Sequence, residues 1–189
     1  MFRSALIAAA AVGLLAGCAG TATESGTATE APSAPATGAA EPTTAPETPV
    51  AAGDPSDPCS LLTADEINAA LGTSFEPSTA TPDPARQIVT CNYKSADGTQ
   101  IVDLGVSQTP GADAFDTNRD LAPAYFGGNA KVVSIPGADK AYLVIAETFD
   151  APVIGMLVKG KFVLLQVGVD GTTTEAGEAL AAQVAARMP

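Results

Sequence analysis

The amino-acid sequence predicts an α+β domain with a largely antiparallel sheet of about six strands, helices packed on one face, and one disulfide. First, the patterns follow the order helix, two strands, helix, four strands, helix, which is typical of strands that pair with their neighbours along the chain. Second, Asp97-Gly98 and Gly160-Lys161 each join two strand patterns through a tight turn, as in antiparallel hairpins. Third, Cys59 and Cys91 are left to pair in an oxidising compartment once an N-terminal cysteine is set aside.

The first helix is predicted over Ala64–Leu71. Thr63 and Glu66 have the spacing of a capping box, in which the threonine hydroxyl accepts from the Glu66 amide and the Glu66 carboxylate accepts from the Thr63 amide. Gly72 follows at the position where a left-handed residue ends many helices. These signals define both ends of the helix.

The first hairpin is predicted from strands over Ile88–Lys94 and Thr99–Val106. Apolar residues alternate in both, so one face of the hairpin is apolar. Cys91 lies on that face. A disulfide to Cys59 would therefore attach the start of the first helix to the buried side of the hairpin, although two buried free thiols are the alternative.

Five regular elements and a closing helix complete the predicted order. The last two strands are more continuously apolar than the first pair, which places them at the centre of the sheet. In chain order, these elements are a helix over Ala112–Leu121 stopped by Pro123, strands over Lys131–Ile135, Lys140–Thr148, Val153–Lys159 and Phe162–Val169, and a helix that opens on a capping-box pattern at Thr172–Glu175 and runs to Met188.

Residues 1–17 are predicted to be a signal peptide. Arg3 precedes an uncharged apolar run from Ala5 to Leu15. A transmembrane helix needs about 20 apolar residues, so this run is too short to remain as a span.

Cys18 is predicted to be acylated and to begin the mature chain. Leu15-Ala16-Gly17-Cys18 resembles the lipobox of bacterial lipoproteins, in which the cysteine thiol receives diacylglycerol. Two or more acyl chains suffice for stable anchoring. We therefore expect a lipid-anchored protein on the extracytoplasmic face of the cell membrane, with the membrane as a partner through the N-terminal diacylglycerol. An ordinary cleavage site beside a chance cysteine is the alternative.

Residues 18–57 are predicted to be the lipidated cysteine and a disordered tether. This stretch consists almost entirely of Ala, Thr, Pro, Glu, Gly and Ser, and cannot bury enough apolar surface to offset its ordering entropy. Threonines beside prolines leave open either an O-glycosylated stalk or a bare linker. The globular α+β domain is predicted over residues 58–189.

Charge and composition exclude several classes of function. The formal net charge is -12, from 9 basic and 21 acidic residues, and an acidic surface repels phosphates, so nucleic acid is not an expected partner. The chain has no histidine, which removes the usual Ser-His-Asp and Cys-His pairings and most zinc sites. We therefore predict no catalytic residue, no metal site and no cofactor.

Carboxylate chemistry is the alternative that composition leaves open. A glycoside hydrolase needs two carboxyl groups about 5 to 9 Å apart, and Asp103 and Glu147 are the acids inside predicted strands. Asp113, Asp116 and Asp120 share one face of a predicted helix and could bind Ca²⁺, but a solvated helix face is the simpler interpretation.

Four aromatic residues could line an apolar pocket between helix and sheet, although filling the core is the default role for such side chains. They are Phe115, Tyr125, Phe126 and Phe149.

Three motifs stand out in the domain: Asp57-Pro58-Cys59-Ser60-Leu61-Leu62-Thr63 with Ala70-Leu71-Gly72, an aromatic two residues after the second cysteine of the domain in Cys91-Asn92-Tyr93, and Pro136-Gly137-Ala138-Asp139-Lys140-Ala141. They resemble the actinobacterial lipoprotein family known as Domain of Unknown Function 3558. The resemblance implies an envelope-anchored, disulfide-containing protein of no agreed activity, and it carries over no catalytic residues.

Two functions are consistent with these features. The favoured one is a non-catalytic binding or interaction domain for an unknown envelope ligand or protein partner, displayed on a lipidated tether. The alternative is a small envelope hydrolase that uses paired carboxylates.

Overall fold

The computed structural model describes residues 51–189. Cys18, the predicted signal peptide and most of the predicted tether lie outside the described residues. Within the described part the fold is α+β, as predicted, with three α-helices, a fully antiparallel sheet and the Cys59–Cys91 disulfide. The sheet has seven strands where about six are predicted.

The α-helices and strands follow the predicted order with one addition, a strand before the first hairpin. A short 3-10 helix over Pro58–Ser60 precedes the first α-helix. The helices are α1 (Ala64–Leu71), α2 (Ala112–Phe126) and α3 (Thr174–Arg187), and the strands are β1 (Ala80–Asp83), β2 (Ile88–Lys94), β3 (Ile101–Ser107), β4 (Lys131–Val133), β5 (Lys140–Ala146), β6 (Ala151–Val158) and β7 (Lys161–Gly168).

The strands lie in the order β1-β2-β3-β7-β6-β5-β4. The β7 strand is therefore central, and every residue of its neighbour β6 is buried, which confirms the central position predicted for these two strands. The additional strand β1 lies at one edge and contains Pro82. Proline has no N–H to donate to a neighbouring strand, so in sheets it occurs mainly at the edges. A short stretch that contains proline therefore has the sequence pattern of a loop, which is why β1 is not among the predicted strands.

The first helix forms as predicted. The Thr63 hydroxyl accepts from the Glu66 amide (3.4 Å), and the Thr63 amide donates to Glu66 Oε2 (2.9 Å). Gly72 ends the helix in the left-handed conformation, with φ 68°. Both ends were encoded locally, and local signals were sufficient to predict them.

Three helix boundaries differ from the predicted ones, the smallest difference being the end of α3 at Arg187 and not at Met188. The α2 helix continues through Pro123 to Phe126. Phe126 packs against the cluster that contains Tyr142 and Phe162, and this packing offsets the backbone hydrogen bond that Pro123 removes and the clash of its ring with the preceding turn. The N-cap of α3 is Thr173, whose hydroxyl accepts from the Ala176 amide at 3.2 Å, and not its neighbour Thr172.

The prediction that all helices pack on one face is wrong. Phe115 of α2 packs against Tyr142 of β5, which pairs with Gly155 of β6. A Cβ atom at Gly177 of α3 would lie 3.5 Å from Ile154 Cδ1. Adjacent residues of a strand point to opposite faces, so α2 and α3 lie on opposite sides of the sheet. The continuously apolar runs of the central strands require cover on both faces.

The larger core lies between the sheet and the helices α1 and α3. The disulfide joins Cys59, just before α1, to the fully buried Cys91 of β2, with 5.3 Å between the Cα atoms. Tyr93 donates its hydroxyl to the Leu62 carbonyl, and burial raises the pKa of this phenol. The start of the domain is thus attached to the hairpin by a covalent bond and a buried hydrogen bond.

Residues before Pro58 also contact the domain. The Gly53 amide donates to the Arg187 carbonyl at 2.9 Å, and Gln108 Nε2 donates to the Pro55 carbonyl at 3.2 Å.

Within residues 51–189, no helix is both long enough and apolar enough to cross a membrane.

Candidate ligand-binding groove

The α2 helix contacts β5, β6 and β7, and no helix among residues 51–189 covers the same face of β1, β2 and β3. A cleft of about 220 Å³ opens on this uncovered area. Its floor is formed by outward-facing residues of three strands, and the turn between β1 and β2 forms its rim. The lining residues are Ile88 and Thr90 of β2, Asp103, Gly105 and Ser107 of β3, Phe162, Leu164 and Gln166 of β7, and Asp83 and Arg86 at the rim.

A second depression of about 440 Å³ lies on the same face and shares Asp103 with the cleft. It extends towards Lys94 and Ile101, at the opposite end of the hairpin. Together the two depressions follow the outward row of β3 from Ser107 to Ile101, a length of about 20 Å for a strand of this size. We call these two adjoining depressions together the β3 groove.

Strand register sets a polar row across the middle of the β3 groove. Asn92 of β2 is opposite Asp103 of β3, and Asp103 is opposite Gln166 of β7. Asn92 Nδ2 donates to Asp103 Oδ1. Neither Gln166 nor Thr90, both partly buried, makes a side-chain hydrogen bond within residues 51–189. Partly buried polar groups with free hydrogen-bonding capacity on a concave surface are typical of ligand sites.

Gly105 lies at the floor of the β3 groove, and the fold does not require glycine there. A Cβ atom at Gly105 would lie 3.4 Å from Ile88 Cγ2 and 3.9 Å from Thr90 Oγ1, so alanine fits. The other two strand glycines are explained by packing, because a Cβ atom would come within 2.2 Å of the Tyr142 ring at Gly155 and 3.0 Å of the Ile101 carbonyl at Gly168.

Glycine inside a strand lowers stability and often marks a place where a ligand or another backbone approaches closely. No other part of residues 51–189 lies against Gly105 from the groove side, since the nearest atoms to an added Cβ belong to its strand neighbour β2. Packing within the described residues therefore does not explain why position 105 is glycine and has no side chain.

The rim of the groove is formed by a tight turn. Asp83 Oδ1 accepts from the amides of Ala85 and Arg86, both at 3.1 Å, and Arg86 Nε lies 3.6 Å from Asp83 Oδ2. The Asp83 carboxylate is thus engaged by its own turn, as is common for aspartate in this setting.

The groove contains two carboxylates but does not bring them together. Asp83 pairs with Ile88, whereas Asp103 pairs with Asn92, four residues further along β2. Four residues along a strand and two strand spacings across the sheet separate their Cα atoms by about 16 Å. Paired-carboxylate hydrolysis needs about 5 to 9 Å between carboxyl groups, so this geometry does not favour it.

Glu147 lies elsewhere. It follows β5 in a turn and is exposed, whereas the sequence places it inside a strand. Its carboxylate accepts from the Gly128 amide at 3.1 Å, and a side chain at Gly127 would collide with it. Glu147 therefore supports the turn after α2 and does not contribute to the β3 groove.

The three aspartates on α2 do not form a cation site. Asp116 and Asp120 both accept from Arg119, at 3.1 and 2.9 Å, and Lys140 Nζ lies 3.8 Å from Asp116. No cluster of three potential metal ligands occurs in the part of the chain that the structure describes.

The four aromatic residues considered for a pocket do not act together. Phe115 is buried against Tyr142 and Phe162, and Phe126 packs against the same cluster. Burial raises the pKa of Tyr142 to about 12. Tyr125 is 72% exposed, and Phe149 is partly buried after β5.

The β3 groove is not predicted from the sequence. Its residues occupy the polar positions of an alternating pattern, and the same pattern is typical of any solvated strand face. The one distinctive signal is Gly105 within an otherwise strand-forming run, because glycine there weakens a central strand.

The fold and the groove define a class of protein: a small α+β domain with one disulfide and a sheet face that the helices of the described part cover only in half. The chain belongs to the family described as Protein of unknown function (DUF3558), whose model matches residues 13–139, about two thirds of the sequence. The match includes β1, β2 and β3 but ends before β7. No curated protein and no solved structure gives a significant match.

Proposed function

We propose that this chain is a cell-envelope lipoprotein, anchored through Cys18 on the extracytoplasmic face of the membrane, whose domain binds a ligand in the β3 groove without transforming it. The observation that carries the binding role is Gly105, a glycine that packing does not require, beneath an open cleft. We propose an actinobacterial origin on the motif resemblance described above.

Anchoring is supported by the sequence before the described domain. The lipobox-like Leu15-Ala16-Gly17-Cys18 follows an apolar run too short to span a membrane. The disulfide between Cys59 and Cys91 is consistent with an oxidising compartment outside the cytoplasm.

A non-catalytic role is supported by the chemistry of the groove lining. The groove offers amides, hydroxyls and two separated carboxylates, and it contains no cysteine. Asp103 shares its carboxylate with Asn92, and Asp83 is engaged by its own turn. These groups suit hydrogen bonding to a ligand better than proton transfer or nucleophilic attack.

The test is native mass spectrometry of the full chain, produced in a bacterium that processes lipoproteins and purified from membranes in mild detergent. We expect an adduct of defined mass on the wild-type chain that is lost on denaturation. Gly105→Leu would fill the floor of the groove and should abolish the adduct. Ala186→Leu adds similar apolar bulk at an exposed site on α3, on the other side of the sheet, and should retain it.

Two results would overturn the proposal. One is a wild-type chain that carries no adduct in any preparation. The other is an adduct equally abundant on wild type and Gly105→Leu, which would place the ligand outside the groove. Circular dichroism and the unfolding midpoint of each variant establish that folding is unchanged.

A further inference from the structure

We infer that the occupant of the β3 groove is an extended, uncharged peptide segment lying along β3. The inference rests on the proposed binding role and assigns the class of ligand. It follows from the length of the groove, the polar groups on its two sides, its charge and its lack of exposed aromatic surface.

The length of the groove suits a chain better than a compact molecule. The outward row of β3 runs from Ile101 to Ser107, about 20 Å, and the two depressions along it share Asp103 in their lining. An extended peptide advances about 3.3 to 3.6 Å per residue, so roughly six residues would occupy this length.

The polar groups are placed on both sides of such a chain. Asn92 on β2 and Gln166 on β7 flank Asp103, each one strand away, or about 5 Å to either side. A primary amide offers both a donor and an acceptor, which matches the N–H and C=O that an extended peptide presents along its edges. Gly105, the next outward residue of β3, leaves room for the peptide backbone to approach the sheet.

The charge of the groove favours an uncharged ligand. Residues 51–189 contain 8 basic and 17 acidic side chains, yet the groove has two of each, Arg86 and Lys94 against Asp83 and Asp103. Arg86 lies beside Asp83. A strongly cationic or anionic ligand would therefore gain little from the groove and would leave charges unpaired.

The lining favours a peptide over a glycan. Sugar rings are commonly bound against exposed aromatic faces, and Phe162 is the one aromatic residue among the described residues that line the groove. It is 2% exposed. Ile88 and Leu164, partly buried at the sides of the cleft, offer aliphatic contacts to alternate side chains of an extended peptide.

The test uses a phage-displayed library of random linear dodecapeptides as the probe, selected against the detergent-solubilised full chain. Chitin oligosaccharides serve as the parallel glycan probe. We expect enriched peptides that lack charged residues in their central positions. Their affinity should fall about tenfold or more in Gln166→Met, which removes the amide while keeping the side-chain length, and in Gly105→Leu.

The matched control is Gln183→Met, the same substitution at an exposed position of α3 on the other side of the sheet. It should leave peptide affinity within about twofold of wild type. Peptides bound equally well by Gly105→Leu and Gln166→Met would overturn the inference, as would a library that yields no specific sequence.

The chitin oligosaccharides distinguish a failure of the peptide assignment from a failure of the proposed binding role. Oligosaccharide binding that is lost in Gly105→Leu, without any peptide enrichment, would overturn the peptide assignment and leave the binding role in place. A native-mass-spectrometry adduct that is not a peptide but depends on Gly105 would have the same meaning. If the wild-type chain carries no adduct and binds neither the peptides nor the oligosaccharides, the proposed function itself is overturned.

Discussion

Glu66 and Arg187 join the first turn of α1 to the last turn of α3 across 121 residues of sequence. Arg187 Nη1 donates to Glu66 Oε2 at 2.7 Å, and Nη2 donates to Oε1. The same guanidinium donates to the Leu61 carbonyl at 3.2 Å. Since Glu66 also accepts from the Thr63 amide, one carboxylate both caps α1 and binds α3. The two side chains are only 26% and 19% exposed.

We expect this ion pair to make stability depend on pH below about 4.5. Arg187 holds the pKa of Glu66 at about 2, against an ordinary value of 4.5. Because the folded-state pKa is the lower one, the ionised form contributes stability above pH 4.5, and that contribution is lost as the pH falls towards 2. Urea unfolding of wild type at pH 7, 4.5, 3 and 2 measures the loss.

Glu66→Gln is the control for this pH dependence. It should cost about 1 to 2 kcal/mol of unfolding free energy at pH 7, because it leaves the Arg187 charge partly buried without its partner. The difference between wild type and Glu66→Gln should shrink steadily below pH 4.5 and be largely lost at pH 2, where the folded-state carboxylate is half protonated. A difference that stays constant from pH 7 to pH 2 would show that the carboxylate charge is not the source of the stability.

The disulfide should stabilise the domain and take no part in redox chemistry, so its removal should lower the free energy of unfolding. The loop closed by Cys59 and Cys91 spans 32 residues, and the chain-entropy model assigns such a loop about 3 to 4 kcal/mol. Cys91 is fully buried, so reduction at low denaturant should be slow. Thermal unfolding of the Cys59→Ala, Cys91→Ala double variant measures the effect. A double variant as stable as wild type would contradict the prediction.

Features encoded by residues close together in the chain are predictable from the sequence, whereas features that depend on tertiary packing are not. The cap and end of α1 depend on residues within one turn, and the hairpin between β2 and β3 depends on Asp97 and Gly98, so local patterns predicted both. The salt bridge between Glu66 and Arg187 depends on how α1 and α3 pack, which no local pattern records. The sequence patterns predict the cap of α1 and the basic last turn of α3, but they do not predict that Glu66 and Arg187 are in contact.

The uncovered sheet face illustrates the same limit. Whether a polar strand face is open or covered depends on where α2 lies, and α2 passes over β5, β6 and β7 because Phe115 packs against Tyr142 and Phe162. The alternating pattern of β3 is equally consistent with a solvated face and with a groove. The groove becomes visible only when the register brings Asn92, Asp103 and Gln166 into one row.

Two strand glycines should respond differently to the same substitution. Gly155→Ala places a Cβ atom within 2.2 Å of the Tyr142 ring, and should cost about 1 to 3 kcal/mol or more through overpacking. Gly105→Ala meets no atom closer than 3.4 Å, and should be neutral or stabilising by up to about 1 kcal/mol. Chemical unfolding of both variants tests the claim that Gly105 is not required for folding. A large loss of stability in Gly105→Ala would remove the argument for a ligand at that position.

Membrane attachment should depend on one thiol. Cys18→Ala removes the acyl acceptor, so the chain should be released to the medium or remain unprocessed, whereas wild type should partition with membranes and lose that partitioning only in detergent. Cell fractionation with detection of the mature N-terminus measures both outcomes. Normal processing and unchanged membrane retention of Cys18→Ala would contradict the proposed anchoring.

Asp103 and its amide variant test the choice between binding and catalysis. Asp103→Asn keeps the shape of the side chain and can still accept from Asn92 Nδ2, so the fold should be unchanged and ligand binding should fall no more than about tenfold. Glu147→Gln, in an exposed turn away from the groove, is the matched control and should leave binding as it is. Both variants are assayed for stability, for binding of the peptides selected on wild type, and for hydrolysis of envelope glycans and esters.

Catalysis by a carboxylate would give a different pattern, because turnover requires the group that carries the proton or attacks the substrate, whereas binding tolerates an isosteric acceptor. A wild-type chain that hydrolyses such a substrate, together with an Asp103→Asn variant that folds and binds but no longer turns over, would replace the binding role with the carboxylate hydrolase.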